Sequence, residues 1–273
     1  MDLVPITRTT RRRIVVPVAI AFGAAVLLFA SGAKAQTTNG LSDAEIQGRQ
    51  LAQQLLERPV ENSTKTGILQ IRDGKGGRTE VPVKCQVIVT ATNWASVYET
   101  GISNQLVTLL VIHCPDRSNE YFYQTNPAKP VPLLGDIPYL GHLFRSAQVS
   151  GAELMTPFAG SDFWIADLGL EFFHWPGQKI LKKEFRRNCS CAVLESTIPD
   201  PATNGYSRVD SWIDEASGGI VMANAYDAQD RLLKEFYPKD VKKVNGQWQV
   251  ESMEIDNVQT GSRTRLEFDP KSR

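Results

Sequence analysis

The chain has 273 residues and carries 30 Lys and Arg against 30 Asp and Glu, so its formal charge at neutral pH is zero. An even charge balance argues against nucleic acid as a partner, because a phosphate-binding surface needs an excess of positive charge. The length is sufficient for one large domain or two small ones.

The first 35 residues have the organisation of a cleavable secretory signal peptide. Four arginines stand within the first 13 residues, residues 14–30 contain no charge, and Ala33 and Ala35 form the small-residue pattern that a signal peptidase recognises. We therefore expect cleavage before Gln36, which leaves 25 basic and 29 acidic residues and a net charge of −4. An uncleaved N-terminal anchor is the alternative, although the uncharged run is short for a membrane span of ~20 residues.

Residues 36–60 are predicted to form an N-terminal helical segment. Apolar side chains recur at helical spacing from residue 41 to residue 58, and Ser42 or Asp43 can cap the start of the helix. Pro59 ends the pattern, because a residue that precedes proline disfavours the helical conformation. The apolar stripe consists of Ile46, Leu51, Leu55 and Leu56.

The rest of the chain is dominated by strand patterns. Residues 79–90 alternate apolar and polar side chains, which is typical of a strand with one buried face. Residues 105–114 are apolar on both faces, with Leu106, Leu110 and Ile112 on one of them, so this strand must be covered on both sides. The even spacing of the strands fits a meandering antiparallel sheet or barrel. Further strands are predicted at residues 67–71, 121–123, 191–197, 206–214, 219–226, 232–237, 247–255 and 264–268.

One amphipathic helix is predicted between the two sets of strands, at residues 162–175, with Ser161 as its cap. Its apolar side chains exceed what one stripe of a surface helix needs. The helix must therefore pack on the sheet or cover a cavity as a lid. The bulky side chains that lead to this interpretation include Phe163, Trp164, Leu168, Phe172 and Phe173.

The four cysteines stand at positions 85, 114, 189 and 191. They would meet oxidising conditions after export, so disulfides are permitted. Four cysteines allow three pairings, and the sequence does not select among them. Because Cys85 and Cys114 lie in two long apolar strands that could be neighbours, we take a bridge between these two residues as the prediction to test.

The sequence contains no recognisable catalytic or metal-binding motif. His113, His142 and His174 are the only histidines, and no G-x-S-x-G motif accompanies them. The C-x-C spacing of Cys189 and Cys191 is not that of a structural zinc site. We therefore predict a protein that is not an enzyme and that has neither a metal site nor a cofactor.

Short motifs follow one another across the second half of the chain. They are found at residues 156–163 (TPFAGSDF), 167–168 (DL), 171–176 (EFFHWP), 191–196 (CAVLES), 205–208 (GYSR), 212–214 (WID), 226–227 (YD), 232–234 (LLK), 257–262 (NVQTGS) and 264–268 (TRLEF). In order and spacing, these motifs resemble those of the outer-membrane lipoprotein-sorting proteins, the LolA-like family. The resemblance covers residues 156–268 well and residues 67–125 loosely.

The resemblance implies a mainly β protein with a few helices (α+β). The expected fold is an open, strongly curved antiparallel sheet, or half barrel, with helices on its concave side. It would span residues 61–273, with an insertion at residues 126–155. The resemblance also implies a periplasmic monomer that binds lipid or lipoprotein acyl chains and has envelope proteins as further partners. The residues expected to form the acyl-chain cavity and its lid are Leu106, Leu110, Ile112, Phe163, Trp164, Leu168, Phe172 and Phe173.

Residues 131–144 depart from this family and resemble the second half of the signature of secretins, the outer-membrane export pores. A secretin needs the Gly-rich first half of that signature and a much longer chain, so we interpret the segment as an insertion that folds over the cavity mouth or docks a partner. The alternative function is a non-enzymatic interaction or scaffolding module of the cell envelope, associated with a secretin-type export system. A carrier needs an apolar cavity, whereas a scaffold fills that space with its own side chains.

Overall fold

The computed structural model describes residues 40–58, 60–90, 93–102, 105–114, 116–125, 147–244 and 247–268. The predicted signal peptide, the secretin-like segment at residues 131–144 and His142 lie outside the described residues. Within the ranges given, no helix has the length and the hydrophobicity to cross a membrane.

The N-terminal helix, α1, spans Asp43–Leu56 and confirms the helix predicted there. Ser42 caps it: the Ser42 hydroxyl accepts from the Glu45 amide at 3.3 Å, and the Glu45 carboxylate accepts from the Ser42 amide at 2.8 Å. Gly48 contacts the sheet so closely that a Cβ at this position would lie 2.5 Å from the backbone nitrogen of Lys179. The helix therefore packs directly on strand backbone, where only glycine fits.

Thirteen antiparallel strands of the described chain form one continuous sheet. In chain order they are β1 (Ser63–Arg72), β2 (Arg78–Val89), β3 (Trp94–Ile102), β4 (Gln105–His113), β5 (Glu120–Thr125), β6 (Gln148–Val149), β7 (Gly177–Arg186), β8 (Cys189–Thr197), β9 (Tyr206–Asp214), β10 (Ile220–Asp227), β11 (Leu232–Val244), β12 (Gln247–Asn257) and β13 (Ser262–Phe268). The first and last strands pair in the middle of the sheet, and β6 and β7 form its two free edges. The sheet is therefore open, which confirms the predicted mainly β architecture.

The sequence pattern does not predict β3, β7 or the two-residue strand β6, and the structure explains the omission of β3 and β7. β7 is an edge strand that carries Lys182 and Lys183, and charged residues on an edge prevent pairing with other chains. In β3, the polar residues Ser96 and Thr100 are buried. The alternation of polar and apolar residues along this strand therefore does not follow the alternation of exposed and buried ones. Both strands lack the alternation on which strand prediction depends.

The two faces of the sheet are both buried at β4, as predicted. We call the face that carries residues 157–175 the inner face and the opposite one the outer face. Leu109 belongs to the inner-face cluster that contains Phe163, whereas Leu110 and Ile112 belong to an outer-face cluster with residues of β3 and β5. Leu109 and Leu110 have no exposed surface at all.

Residues 157–175, here called the inner segment, do not form the single helix predicted at residues 162–175. Two short 3-10 turns, Phe158–Gly160 and Glu171–His174, flank a one-turn helix, α2, at Ile165–Leu168. The prediction of a continuous helix was therefore wrong.

The break in the inner segment has a tertiary cause. Leu170 adopts a left-handed backbone conformation with φ of 51°, which interrupts any helix. At Gly169 the chain passes so close to Tyr121 that a Cβ would lie 2.1 Å from the tyrosine hydroxyl oxygen. The apolar side chains of the segment are buried against two clusters of the sheet, and this packing outweighs helical periodicity.

Candidate functional site

A cavity of about 660 Å³ lies between the inner segment and the inner face of the sheet. Its volume is within the ~300–1,000 Å³ typical of ligand pockets. The lining is mainly apolar and comes from both elements: the inner segment contributes Phe163, Leu168 and Phe172, and the sheet contributes residues such as Val209, Ala223, Ala225, Phe236, Met253 and Leu266. The arrangement offers an apolar ligand a largely preformed space.

Three of the five inner-segment residues predicted for the site, Phe163, Leu168 and Phe172, line this cavity. Trp164 lies beside it and stacks on the ring of Tyr206 at 4.5 Å between ring centroids. Phe173 packs against Phe172 at 4.6 Å, is buried and does not line the cavity.

No residue of β4 lines the cavity, whichever face it belongs to, so the residues predicted from this strand lie outside it. Leu110 and Ile112 are buried on the outer face, and Leu106 has the same parity along the strand. Because β4 is apolar on both faces, its sequence pattern identifies the two faces without telling which one is inner. The position of the inner segment, which shares a core cluster with Leu109, decides which face is inner.

A buried ion pair lies at the inner end of the cavity. The Lys234 side chain is 2% exposed, and its Nζ lies 3.6 Å from Oδ2 of Asp167 and 3.5 Å from the ring centroid of Trp164. Burial lowers the pKa of Lys234 to about 8, against the opposing effect of Asp167, and burial raises the pKa of Asp167. Asp167 also accepts a hydrogen bond from the Tyr206 hydroxyl at 3.0 Å. The polar groups here are satisfied by one another.

The same region attaches the inner segment to the sheet. Lys234 donates to the backbone carbonyl of Asp162 at 2.7 Å, while the Asp162 carboxylate accepts from the hydroxyls of Ser262 at 2.5 Å and Thr264 at 2.8 Å. Thr264 in turn accepts from the Asp162 amide at 2.9 Å. These contacts attach the start of the inner segment to β11 and β13. Sequence reasoning missed their role, although Asp162 and Lys234 stand within the motifs that carry the family resemblance.

Part of the cavity lining is polar and at least partly exposed. We call this part the rim, and its polar residues are Arg58, Arg187, Asp214, Ser217, Lys239 and Gln249. Arg58 follows α1, whereas Arg187 lies in the turn between β7 and β8. Both arginines are exposed. No sequence motif indicates them, because the rim is assembled from turns that are distant in the chain.

A second polar cluster joins the end of the inner segment to β5 and to Asn119, which precedes that strand. The Tyr121 hydroxyl donates to Glu171 at 2.9 Å, and burial raises the pKa of Glu171 to about 7. His174 lies 3.1 Å from the side-chain oxygen of Asn119. None of these residues lines the cavity.

Among the described residues, His113 and Ser96 form a pair with the composition of a serine nucleophile and a histidine base. The hydroxyl of Ser96 lies 2.9 Å from Nε2 of His113, whose ring stacks on Trp94 at 3.5 Å. Burial lowers the pKa of His113 to about 3, so the ring is neutral. Both residues are buried away from the cavity, so the pair stabilises the sheet. Among the residues described, no three His, Cys, Asp or Glu side chains are grouped to hold a metal ion.

The predicted disulfide between Cys85 and Cys114 is wrong, and all four cysteines are free thiols. The strand β3 lies between the strands that carry them, with Cys85 opposite Tyr98 and Cys114 just beyond the pair of Trp94 and His113. At ~3.3 Å per residue, this offset along the strands alone far exceeds the ~7 Å between Cα atoms that a disulfide tolerates. Burial raises the pKa of Cys85 to about 12.

Comparisons with known proteins agree on the fold. A family model described as "Uncharacterized protein" matches residues 138–271. A search of curated proteins gives no match. Among solved structures, a DUF1329 family protein from Desulfovibrio piger aligns with a TM-score of 0.65 at 18% identity, over 84% of this chain and 92% of that one.

Two further structures carry the resemblance noted in the sequence. A domain assigned to outer membrane lipoprotein sorting, from Vibrio parahaemolyticus, has a TM-score of 0.64 at 18% identity and covers 82% of this chain and 91% of its own. A LolA superfamily protein from Nitrosomonas europaea has a TM-score of 0.53 at 14% identity, over 85% of this chain and 94% of its own. This chain therefore has the LolA-like fold that its sequence motifs indicate.

Proposed function

We propose that this protein is a periplasmic carrier that binds lipid or lipoprotein acyl chains non-covalently in the cavity beside the inner segment. The observation that carries the proposal is the cavity itself, about 660 Å³ in volume with a mainly apolar lining. The LolA-like fold and the predicted signal peptide support the same function and the same compartment. The carrier is proposed as a non-enzymatic monomer without a cofactor, with envelope proteins as further partners.

Burial of methylene groups would supply the affinity. Each CH₂ moved from water into an apolar site contributes about 0.8 kcal/mol, so about twelve of them contribute ~10 kcal/mol before the costs of ordering the ligand. A net value of ~8 kcal/mol corresponds to micromolar binding. The charged side chains at the inner end, Asp167 and Lys234, are already paired with protein groups.

The alternative, a scaffolding module of the cell envelope, predicts an inner face filled by the protein's own side chains at the density of a normal core. An open space of about 660 Å³ at that face favours the carrier.

The test combines two measurements. Native mass spectrometry of protein purified from an envelope fraction should detect co-purified lipid, and a fluorescent fatty acid should bind the delipidated protein. Ala225 lines the cavity, so Ala225→Phe should block binding, whereas Ala228→Phe, at an exposed turn position, should not. A folded wild-type protein that retains no lipid and binds no acyl probe would refute the carrier function.

A further inference from the structure

The rim of the cavity differs in charge from its interior. Among its described residues, two arginines and Lys239 stand against one carboxylate, that of Asp214, and Lys239 is paired with Glu254 at 3.3 Å. The kind of group that the rim can hold depends on the bonds that Arg58, Arg187 and Asp214 already make.

Arg58 extends from the end of α1 to the turn between β9 and β10. Its guanidinium donates to the backbone carbonyl of Ser217. The turn leaves room for it at Gly218, where φ is 65° and a Cβ would lie 3.0 Å from the guanidinium. This is the one hydrogen bond of the Arg58 side chain within the described chain, and a guanidinium has five N–H donors.

Arg187 occupies the two-residue turn between β7 and β8 together with Asn188. Both residues have positive φ, 49° and 64°, as a tight hairpin requires. Asn suits that conformation, whereas Arg adopts it rarely. The Arg187 guanidinium stacks over the ring of Tyr237 at 4.4 Å and donates to the carbonyl of Pro238 at 3.4 Å. The turn thus holds the exposed guanidinium of Arg187 at the rim, although arginine rarely adopts a positive φ.

The carboxylate at the rim does not neutralise these arginines. Asp214 accepts from the hydroxyl and the amide of Ser217 within its own turn, and these bonds lower the pKa of Asp214. In the part of the chain that the structure describes, no carboxylate lies within ion-pair distance of Arg58 or Arg187. Within the described residues, the two guanidinium groups at the rim therefore have no carboxylate as counter-ion.

We infer that the ligand is an anionic amphiphile, whose carboxylate or phosphate headgroup binds Arg58 and Arg187 at the rim while its acyl chain occupies the cavity. This inference rests on the proposed carrier function and adds the charge of the headgroup to it. Guanidinium groups form their strongest hydrogen bonds with carboxylates and phosphates, often through two parallel N–H groups. Both arginines are exposed, and each guanidinium keeps N–H donors that its bond to Ser217 or Pro238 does not use.

The experiment compares two ligands that differ only in the phosphate. Lysophosphatidic acid and the monoacylglycerol with the same acyl chain are tested for displacement of a fluorescent fatty acid from the mature protein. The wild type should prefer the phosphate, and the ratio of the two affinities should fall about tenfold for each arginine replaced in Arg58→Gln and Arg187→Gln. Arg78→Gln, at an exposed position on β2 that does not line the cavity, is the matched control.

Each outcome decides a different claim. Equal binding of both ligands by the wild type, or a ratio unchanged in the double variant, would overturn the headgroup inference and leave the carrier function intact. Absence of binding by both ligands would refute the carrier function itself. Arg58→Gln removes a bond to Ser217, so its thermal midpoint is measured as well. Arg187→Gln by itself keeps the test valid if Arg58→Gln does not fold.

Discussion

Replacement of Lys234 by methionine tests whether the inner segment is held on the sheet by its buried polar contacts. Methionine is unbranched and nearly as long, so the packing volume is largely kept. The change removes the hydrogen bond to the Asp162 carbonyl at 2.7 Å, the ion pair with Asp167 at 3.6 Å and the contact with the ring of Trp164 at 3.5 Å.

The expected loss in the free energy of unfolding depends on the contacts that Asp167 keeps after Lys234 is replaced. Loss of one partner of a buried ion pair costs ~3–5 kcal/mol, because the other charge stays buried without compensation. Asp167 keeps its hydrogen bonds from the Tyr206 hydroxyl at 3.0 Å and the Trp164 amide at 2.7 Å, so we expect the lower end, about 3 kcal/mol. The double variant Lys234→Met/Asp167→Asn removes the uncompensated charge and should recover ~1–2 kcal/mol.

The assay is urea unfolding of the mature protein followed by tryptophan fluorescence at neutral pH. Lys242→Met removes a lysine that is 61% exposed and serves as the control, with an expected change within ~0.5 kcal/mol. A loss below ~1 kcal/mol for Lys234→Met would refute the reasoning. The reasoning would also be refuted if the double variant lost as much free energy of unfolding as Lys234→Met and Asp167→Asn lose together.

Two further predictions follow from the site. Phe172 is buried and lines the cavity, so Phe172→Ala should lower the free energy of unfolding by ~3–5 kcal/mol, while the folded protein still binds an acyl probe. The control is Phe185→Ala, which replaces a ring that is 73% exposed and should change the free energy of unfolding little. If Phe172→Ala changes binding of the probe but leaves the urea midpoint unchanged, the result would support a lid instead. The second prediction concerns pH. Burial raises the pKa of Glu171 to about 7, so the folded state favours the protonated form of this side chain. The free energy of unfolding should therefore fall as pH rises from ~4 through 7, by at most about 3 kcal/mol. Glu171→Gln should not show this loss, and identical pH profiles of unfolding for the two proteins would contradict the assignment.

The local sequence determined α1, the buried face of β2 and the mainly β class. The capping residue and the apolar spacing of α1 act within one or two turns, so they are readable without the fold. Val81 and Val83 are both buried on one face of β2, as strict alternation requires. The motifs of the second half indicated the open LolA-like sheet, because their order reflects the whole domain.

The tertiary structure alone decided which face of each strand is the inner one, which strands line the cavity and which polar side chains form its rim. Period-two alternation separates Leu109 from Leu110 without telling which is inner, since both are fully buried. Arg58 and Arg187 share a rim only because the end of α1 and the turn between β7 and β8 lie at the same end of the sheet. The helix predicted at residues 162–175 is broken because contacts with strands far away in the sequence stabilise the segment more than helical periodicity does. Local patterns thus specify elements, whereas the site depends on long-range pairing that no local pattern contains.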